Sequence, residues 1–401
     1  MRVLAVTHVF PRAVDDSSAP FLLTWARALR DAGADVAVVA PHDSGLATRE
    51  RLAGVPVLRV RYAPETRERL AYRGEMHQIA LTPAGPPLVA GLLAAMARAV
   101  RAQARAGRPD LVHVHWWMPG AIVLRLAAVS APAVCTVHGT DVTLIEQRPA
   151  LAPVARWALA RFDRVEAVSE DLADRLERAT GRAADAVNPM PVDAPPRGDG
   201  ADRDSGSSPG AARAARGGGG SGAPLRLLAV GRMVPEKGFA DLVSAVAMLA
   251  VPAKLTIVGD GPELERLAHQ AQALGVDLSL PGRLTAGALR DGLAGADIVV
   301  QPSHREGLGL VAVEALLAGT PTVATDSGGA RDVLAARALV PPGDPAALAE
   351  RIAAVAGDLD AERAAAIKQG GELRERFSPA AAAERTLAGY RKVAGPGTVT
   401  R

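Results

Sequence analysis

Glu306-Gly-Leu-Gly-Leu-Val-Ala-Val-Glu314 sets two carboxylates eight positions apart around a glycine-containing turn. On one continuous helix, eight residues turn about 800°, leaving the two side chains about 80° apart in direction and about 12 Å apart along the axis. They would not share a face. Gly307 and Gly309 instead put Glu306 in a loop and Glu314 about one turn inside the helix that follows, with Gly319 as the stop and Pro321 opening the next strand. Such a helix presents the backbone N–H groups of Leu308, Gly309 and Leu310, and the positive end of its dipole, at its start. A diphosphate suits those amides, and hydroxyls that donate to the two carboxylates suit a sugar.

Working outward, the same alternation of short β-branched runs and helical stretches fills the second half. Strands are predicted at Arg226 to Val230, Lys254 to Val258, Ile298 to Gln301 and Pro321 to Ala324. Helices are predicted near Phe239 to Leu249, Glu263 to Leu274, Ala288 to Ala294 and Leu310 to Ala318. The first half repeats the pattern, with strands at Val3 to Val6, Val36 to Val39, Val55 to Val60, Leu111 to His115, Ala133 to His138 and Arg164 to Val168. Helices there are Phe21 to Asp31, Leu88 to Ala106, Leu151 to Ala160 and Glu170 to Ala179. Each half reads as a Rossmann-like α/β domain, 1–193 and 224–378, with a helix over Pro379 to Val393 in the segment 379–401 able to pack back on the N-terminal domain. Between the halves, 194–223 is rich in Gly, Ser and Pro and lacks periodicity, which predicts a disordered linker. Open α/β sheets bind ligands at the carboxyl ends of their strands, so the expected active site lies in a cleft between the two domains.

Composition agrees with a folded two-domain protein: 401 residues, 49% hydrophobic and 22% charged. A net charge of +3, with no run of five like charges, argues against nucleic acid as a partner. One cysteine, Cys135 in an apolar strand, excludes an intrachain disulfide and predicts a buried thiol in a reducing compartment. The N-terminal apolar run is too short for a signal peptide, and Leu88 to Ala97 falls short of a membrane span, so the expected location is cytoplasmic.

A second chemical signal is Gly231-Arg-Met-Val-Pro-Glu-Lys-Gly238, which sets Arg232 and Lys237 at a strand's carboxyl end, where two cations would neutralise a diphosphate. Only four of the chain's 46 basic residues are lysines, which gives Lys237 added weight; the bland reading is a turn with two solvated charges. Val258-Gly-Asp-Gly-Pro-Glu-Leu264 has the strand, Gly-x-Gly and helix of a phosphate loop but lacks the third glycine of a dinucleotide fingerprint.

Taken together, GRMVPEKG (231–238), VGDGPELERL (258–267), PSHREGLGLVAVEALLAGTPTVATDSGGARDVL (302–334) and VHGTD (137–141) resemble glycosyltransferase family 4, retaining enzymes of the GT-B architecture that need no metal and no cofactor. The likeness covers nearly all of the second half and is weaker in the first. It implies that the second domain binds a nucleotide sugar, a UDP- or GDP-sugar. Arg232 and Lys237, with Gly231, would hold the diphosphate; Glu306 and the amides of Gly307, Leu308, Gly309 and Leu310 the sugar; Glu314 the ribose; Gly282 and Arg283 would lie near the base. His138, in His-Gly-Thr-Asp141, would reach the transferred sugar. Ser18, Asp141 and Trp116 are the candidates on the acceptor side. The acceptor itself, whether lipid-linked, saccharide or small molecule, is not specified.

One departure is in the loop of residues 10–20, where similar proteins carry a glycine pair and this chain has Ser18 and Ala19, whose Cβ atoms would hold a ligand farther off unless the loop is reshaped. His113, His115 and His138 invite a metal-site reading, but no acidic or cysteine ligand is spaced with them, which favours core histidines and one cleft histidine. Trp116 and Trp117 could stack on a sugar or simply pack. Seven arginines against three glutamates between Arg49 and Arg73 fit either a peripheral membrane face or a solvated surface. Two rivals remain: a nucleotide-sugar epimerase on the same scaffold and a non-catalytic nucleotide-sugar binder. The paired glutamates with His138 favour a hexosyl transfer over both.

Overall fold

The computed structural model describes residues 1–16, 18–72, 76–80, 82–193 and 223–394; most of the segment read as a linker lies outside them. The chain divides into two units, Met1–Pro191 with Phe377–Arg401, and Val192–Arg376.

In unit 1 the elements run β1 (Arg2–Val6), α1 (Pro20–Asp31), β2 (Asp35–Pro41), β3 (Arg49–Leu52), β4 (Val55–Val60), α2 (Met76–Ile79), α3 (Gly85–Gly107), β5 (Leu111–His115), α4 (Trp117–Ala127), β6 (Ala133–Val137), α5 (Thr140–Gln147), α6 (Ala152–Leu159), β7 (Arg164–Ala167), α7 (Glu170–Thr180) and β8 (Ala186–Val187). The sheet order is β3-β4-β2-β1-β5-β6-β7-β8, parallel throughout except for the β3–β4 hairpin. Residues Val3 to Val6 of β1 are all buried, as a strand covered on both faces requires. Helix α1 starts with Pro20 at its first turn and buries Leu22, Leu23, Trp25, Ala26 and Leu29, a 3.6-residue stripe, against that sheet.

Unit 2 runs β9 (Leu225–Val230), α8 (Phe239–Ala247), β10 (Ala253–Val258), α9 (Leu264–Leu274), β11 (Asp277–Ser279), α10 (Ala286–Gly295), β12 (Ile298–Gln301), α11 (Leu310–Leu317), β13 (Thr322–Thr325), β14 (Leu339–Val340), α12 (Pro345–Gly357) and α13 (Leu359–Arg376). Its parallel sheet has the order β11-β10-β9-β12-β13-β14, a doubly wound arrangement whose strand order reverses between β9 and β12. Ile298 and Val300 face one core, Val299 the other, so both faces of the sheet are covered.

Helix α14 (Pro379–Ala394) belongs to unit 1, lying along α1. Ala383 and Tyr390 enter the unit 1 core, and Tyr390 Oη is 2.6 Å from His113 Nδ1. Cys135 is a buried free thiol. Among the described residues no helix is long and apolar enough to cross a membrane.

Candidate active site

At the carboxyl edge of the unit 2 sheet, three loops meet backbone to backbone. After β9, the chain passes Gly231 and the exposed Arg232, then makes a 3₁₀ turn over Pro235–Lys237. Met233 N donates to Asp260 O (2.7 Å) and Glu263 N to Met233 O (3.0 Å), which ties this loop to the one after β10. Gly259, at φ +138°, has no room for a side chain: a Cβ there would sit 1.9 Å from Gly231 O. Its glycine character therefore serves loop docking, and Asp260 is paired with Arg283 (2.9 Å). Gly282 O accepts from Gly259 N, so the Gly282-Arg283 turn joins the same edge.

The third loop follows β12. Lys237 Nζ donates to Glu306 Oε2 at 2.6 Å, Ser303 Oγ donates to the same oxygen at 3.2 Å, and Gly307 N donates to Oε1 at 3.3 Å. Gly309, in the left-handed region at φ +82°, is the N-cap of α11, and no side chain caps that helix. Ala312 N and Val313 N are taken up by Gly309 O, leaving the N–H groups of Leu310 and Val311 without an acceptor among the described residues. Leu308 is buried, and Leu310 is half-buried at the helix start. Glu314 is the fifth residue of α11 and half-buried; burial pushes its carboxyl up to about 7. Lysine, Glu306 and an open helix N-terminus thus meet, with Glu314 one turn into the same helix, as an anion with hydroxyls nearby would need.

Sequence reading missed Gln301 and Ser327. Gln301 is 4% exposed, and neither atom of its carboxamide has a partner; the Ser327 hydroxyl is likewise buried and unpartnered. Gln301 abuts Gly309, where an added Cβ would lie 2.9 Å from Gln301 Nε2. The only available signal was a polar residue closing an apolar strand.

In unit 1, His138 is the first residue after β6, which stops at Val137 and not at His138 as predicted, and Gly139 (φ +116°) turns the chain into α5. The Asp141 carboxylate accepts from the backbone N–H groups of Trp117, His138, Gly139 and Val142 (3.0–3.2 Å) and is 3% exposed, so it builds the turn. Burial raises its pKa against the pull of those N–H bonds. Trp116 is also buried: its ring stacks on His138 at 4.1 Å and meets His8 edge-on at 4.7 Å, which accounts for it as packing. His113 and His115 stack at 4.4 Å, and burial holds His8, His113, His115 and His138 neutral, with His8 lowered to about 4 and His113 to about 3. Among the described residues no group of three or more His, Cys, Asp or Glu side chains is placed to hold a metal ion.

Ala19 takes φ +53°, ψ +52°, so the loop of residues 10–20 keeps a glycine-type backbone with an alanine in it; Ser18 N donates to Asp16. Arg59, from the arginine-rich segment, is fully buried and donates to Phe10 O, Pro11 O, Tyr72 Oη and Glu50, bracing that loop. Arg61 pairs with Glu65 at the surface.

A pair of doubly wound α/β units in one chain is the GT-B architecture, and this chain is a glycosyltransferase of that class. It belongs to glycosyltransferase family 4: residues 19–193 match the family described as Glycosyltransferase Family 4, and residues 219–380 the one described as Glycosyl transferases group 1. Over 399 residues it is 31% identical to the 2-deoxystreptamine N-acetyl-D-glucosaminyltransferase of Streptomyces fradiae, covering 93% of this chain and 90% of that one. Its fold is similar to that of sucrose-phosphate synthase from Thermosynechococcus elongatus (TM-score 0.79, 21% identity, 98% of this chain and 99% of the other). It is also similar to Anabaena HepE in complex with UDP and glucose (TM-score 0.70, 21% identity, 98% and 100%).

Proposed function

We propose that the protein transfers a hexosyl group from a UDP-sugar to a hydroxyl of a saccharide or cyclitol acceptor, with retention at the anomeric carbon and without a metal. The observation that carries this reading is Lys237 and Glu306 in contact beside the uncapped start of α11. A UDP-sugar is favoured over a GDP-sugar by the likeness to a protein crystallised with UDP and glucose, and an acceptor of this type by the Streptomyces relative's name.

Breaking the anomeric C–O bond develops positive charge on the sugar ring and negative charge on the departing diphosphate. Arg232, Lys237 and the Leu310 and Val311 amides stabilise the latter more in the transition state than in the ground state. Glu306 positions the sugar, Glu314 accepts from the ribose hydroxyls, Gly282 and Arg283 flank the base, and His138 contacts the transferred sugar. Retaining glycosidases set a carboxylate on the face opposite the leaving group. Here the acceptor oxygen attacks from the leaving-group face, its proton passing to a diphosphate oxygen.

A thermal-shift panel of UDP, GDP, ADP and dTDP, free and carrying hexoses, tests the donor on the wild type and on Glu314→Ala. A ligand at 100 times its Kd adds about 2.7 kcal/mol. Stabilisation by the uridine compounds alone, lost in the variant, is the expected result. A protein that no nucleotide stabilises would end the donor-site reading. A UDP-hexose isomerised without acceptor would establish the epimerase instead.

A further inference from the structure

His138 does not stand alone in unit 1. Its Nε2 lies 3.1 Å from His115 Nδ1, and its ring packs against those of Trp116 (4.1 Å) and Phe21 (5.5 Å), each inclined 29° to it. The second nitrogen of His138, Nδ1, makes no hydrogen bond among the described residues and is not sealed from solvent. The second nitrogen of His115, Nε2, is buried and unpartnered.

Neutral imidazole carries one N–H, and burial keeps both rings neutral. Two arrangements are then open. If His138 Nε2–H donates, His115 must carry its own proton on Nε2, where it becomes a buried donor with no acceptor. If His115 Nδ1–H donates, the group left unpartnered is a lone pair. Orphaned buried N–H groups are rarer in proteins than under-used acceptors. A neighbour adds to the difference: Trp25 stands at 4.6 Å and 88° to the His115 ring, and its indole N–H, a donor only, is also buried and unpartnered. A second orphan donor beside it would compound the cost, whereas a bare lone pair complements it. His113 stacks on His115, but both its nitrogens face hydroxyls, Tyr390 Oη and Thr136 Oγ1, which donate or accept as required and so impose no tautomer.

We propose that His115 is a positioning residue that holds His138 as the Nδ1–H tautomer, so that His138 meets its ligand as a neutral hydrogen-bond donor and not as a proton acceptor. The consequence for transfer rests on the reading of His138 as a contact to the transferred sugar. On that reading His138 cannot be the general base; it donates to a sugar oxygen, and the acceptor's proton goes elsewhere, as the same-face mechanism has it.

The test reads the tautomer directly. In protein labelled with ¹⁵N-histidine, two-bond ¹H–¹⁵N correlations distinguish the two neutral tautomers, and His138→Asn identifies the signals by their loss. The expected wild-type pattern for His138 is Nδ1–H. His115→Asn, whose side-chain N–H replaces Nδ1–H, keeps that pattern; His115→Met, whose thioether can accept but not donate, moves it toward Nε2–H. In transfer assays His115→Met lowers kcat roughly tenfold while KM for the donor stays within about threefold. A wild type with His138 as Nε2–H, or a pattern indifferent to His115→Met, overturns the assignment. The spectra need no substrate, so an Nδ1–H protein that transfers no sugar refutes the functional reading and leaves this one standing.

Discussion

Lys237 Nζ and Glu306 Oε2 meet at 2.6 Å although 69 positions separate the residues. The pairing follows from the strand order, because β9 and β12 are neighbours and the loops after them share one edge. An ammonium held by one carboxylate beside a helix N-terminus is ready to be shared with an anion. Lys237→Ala is expected to lower kcat by about 10²- to 10³-fold. Both side chains are partly exposed, 24% and 18%, so the melting temperature should stay within a few degrees. Steady-state kinetics with a melt of the same sample decide it: a large loss of stability would mean the pair is structural.

Glu314 gives a pH dependence of definite sign. Its carboxyl titrates near 7 when folded, against an ordinary value of 4.5, so the folded state holds the extra proton between those values. Its contribution to stability is complete below 4.5 and is lost as pH rises through 7. Glu314→Gln should therefore gain on the wild type between pH 6 and 8, by an amount on the order of 1 kcal/mol. Hydroxyls donating to the carboxylate favour its ionised form, so nucleotide binding near pH 7 should release a proton, measurable by calorimetry in buffers of different ionisation enthalpy.

Ala19 occupies left-handed backbone at a cost of roughly 1–2 kcal/mol. Ala19→Gly should raise stability by up to about 1 kcal/mol, the gain being reduced by the freer unfolded chain. Arg59→Ala should cost about 3–5 kcal/mol, because it strips the donor from the Phe10 and Pro11 carbonyls and leaves Glu50 unpaired. Denaturant titration measures both, and a neutral Arg59→Ala would mean that the loop of residues 10–20 does not depend on that arginine.

Gln301→Leu separates stability from function. It replaces two buried, unpartnered polar atoms with methyls of similar volume, so the ligand-free protein should be stabilised by about 1 kcal/mol. Donor affinity should fall at least several-fold if the carboxamide completes its hydrogen bonds on the donor. Equal affinity in both proteins would assign Gln301 to packing.

The main strands and helices were legible because buried parallel strands and amphipathic helices leave continuous runs and 3.6-residue stripes. Helix α4 was not: Met118 has non-helical backbone inside it, and Pro119 and Gly120 in its first turns interrupt the helical pattern. Helix α13 was hidden for a different reason. It packs through Gly370, where a Cβ would come within 2.0 Å of Leu316 O, so close backbone approach replaces the apolar stripe that marks most helices. In the site, glycine-bounded loops announced Lys237, Glu306 and Glu314. Gln301 and the partners of His138 stayed silent, since what distinguishes them is a missing or particular neighbour that only the fold supplies.

The crossing of α14 back to unit 1 bears on how the protein is made. Chains emerge from the ribosome N-terminal end first, and domains generally fold as units in that order. Here the first 191 residues appear early, but the helix that covers α1 and brings Tyr390 to His113 is translated after the whole of unit 2. The earlier-born half must wait, with that part of its core open, until the helix that follows unit 2 has been made. A ribosome that stalls or stops after unit 2 would release a finished second half attached to an unfinished first one.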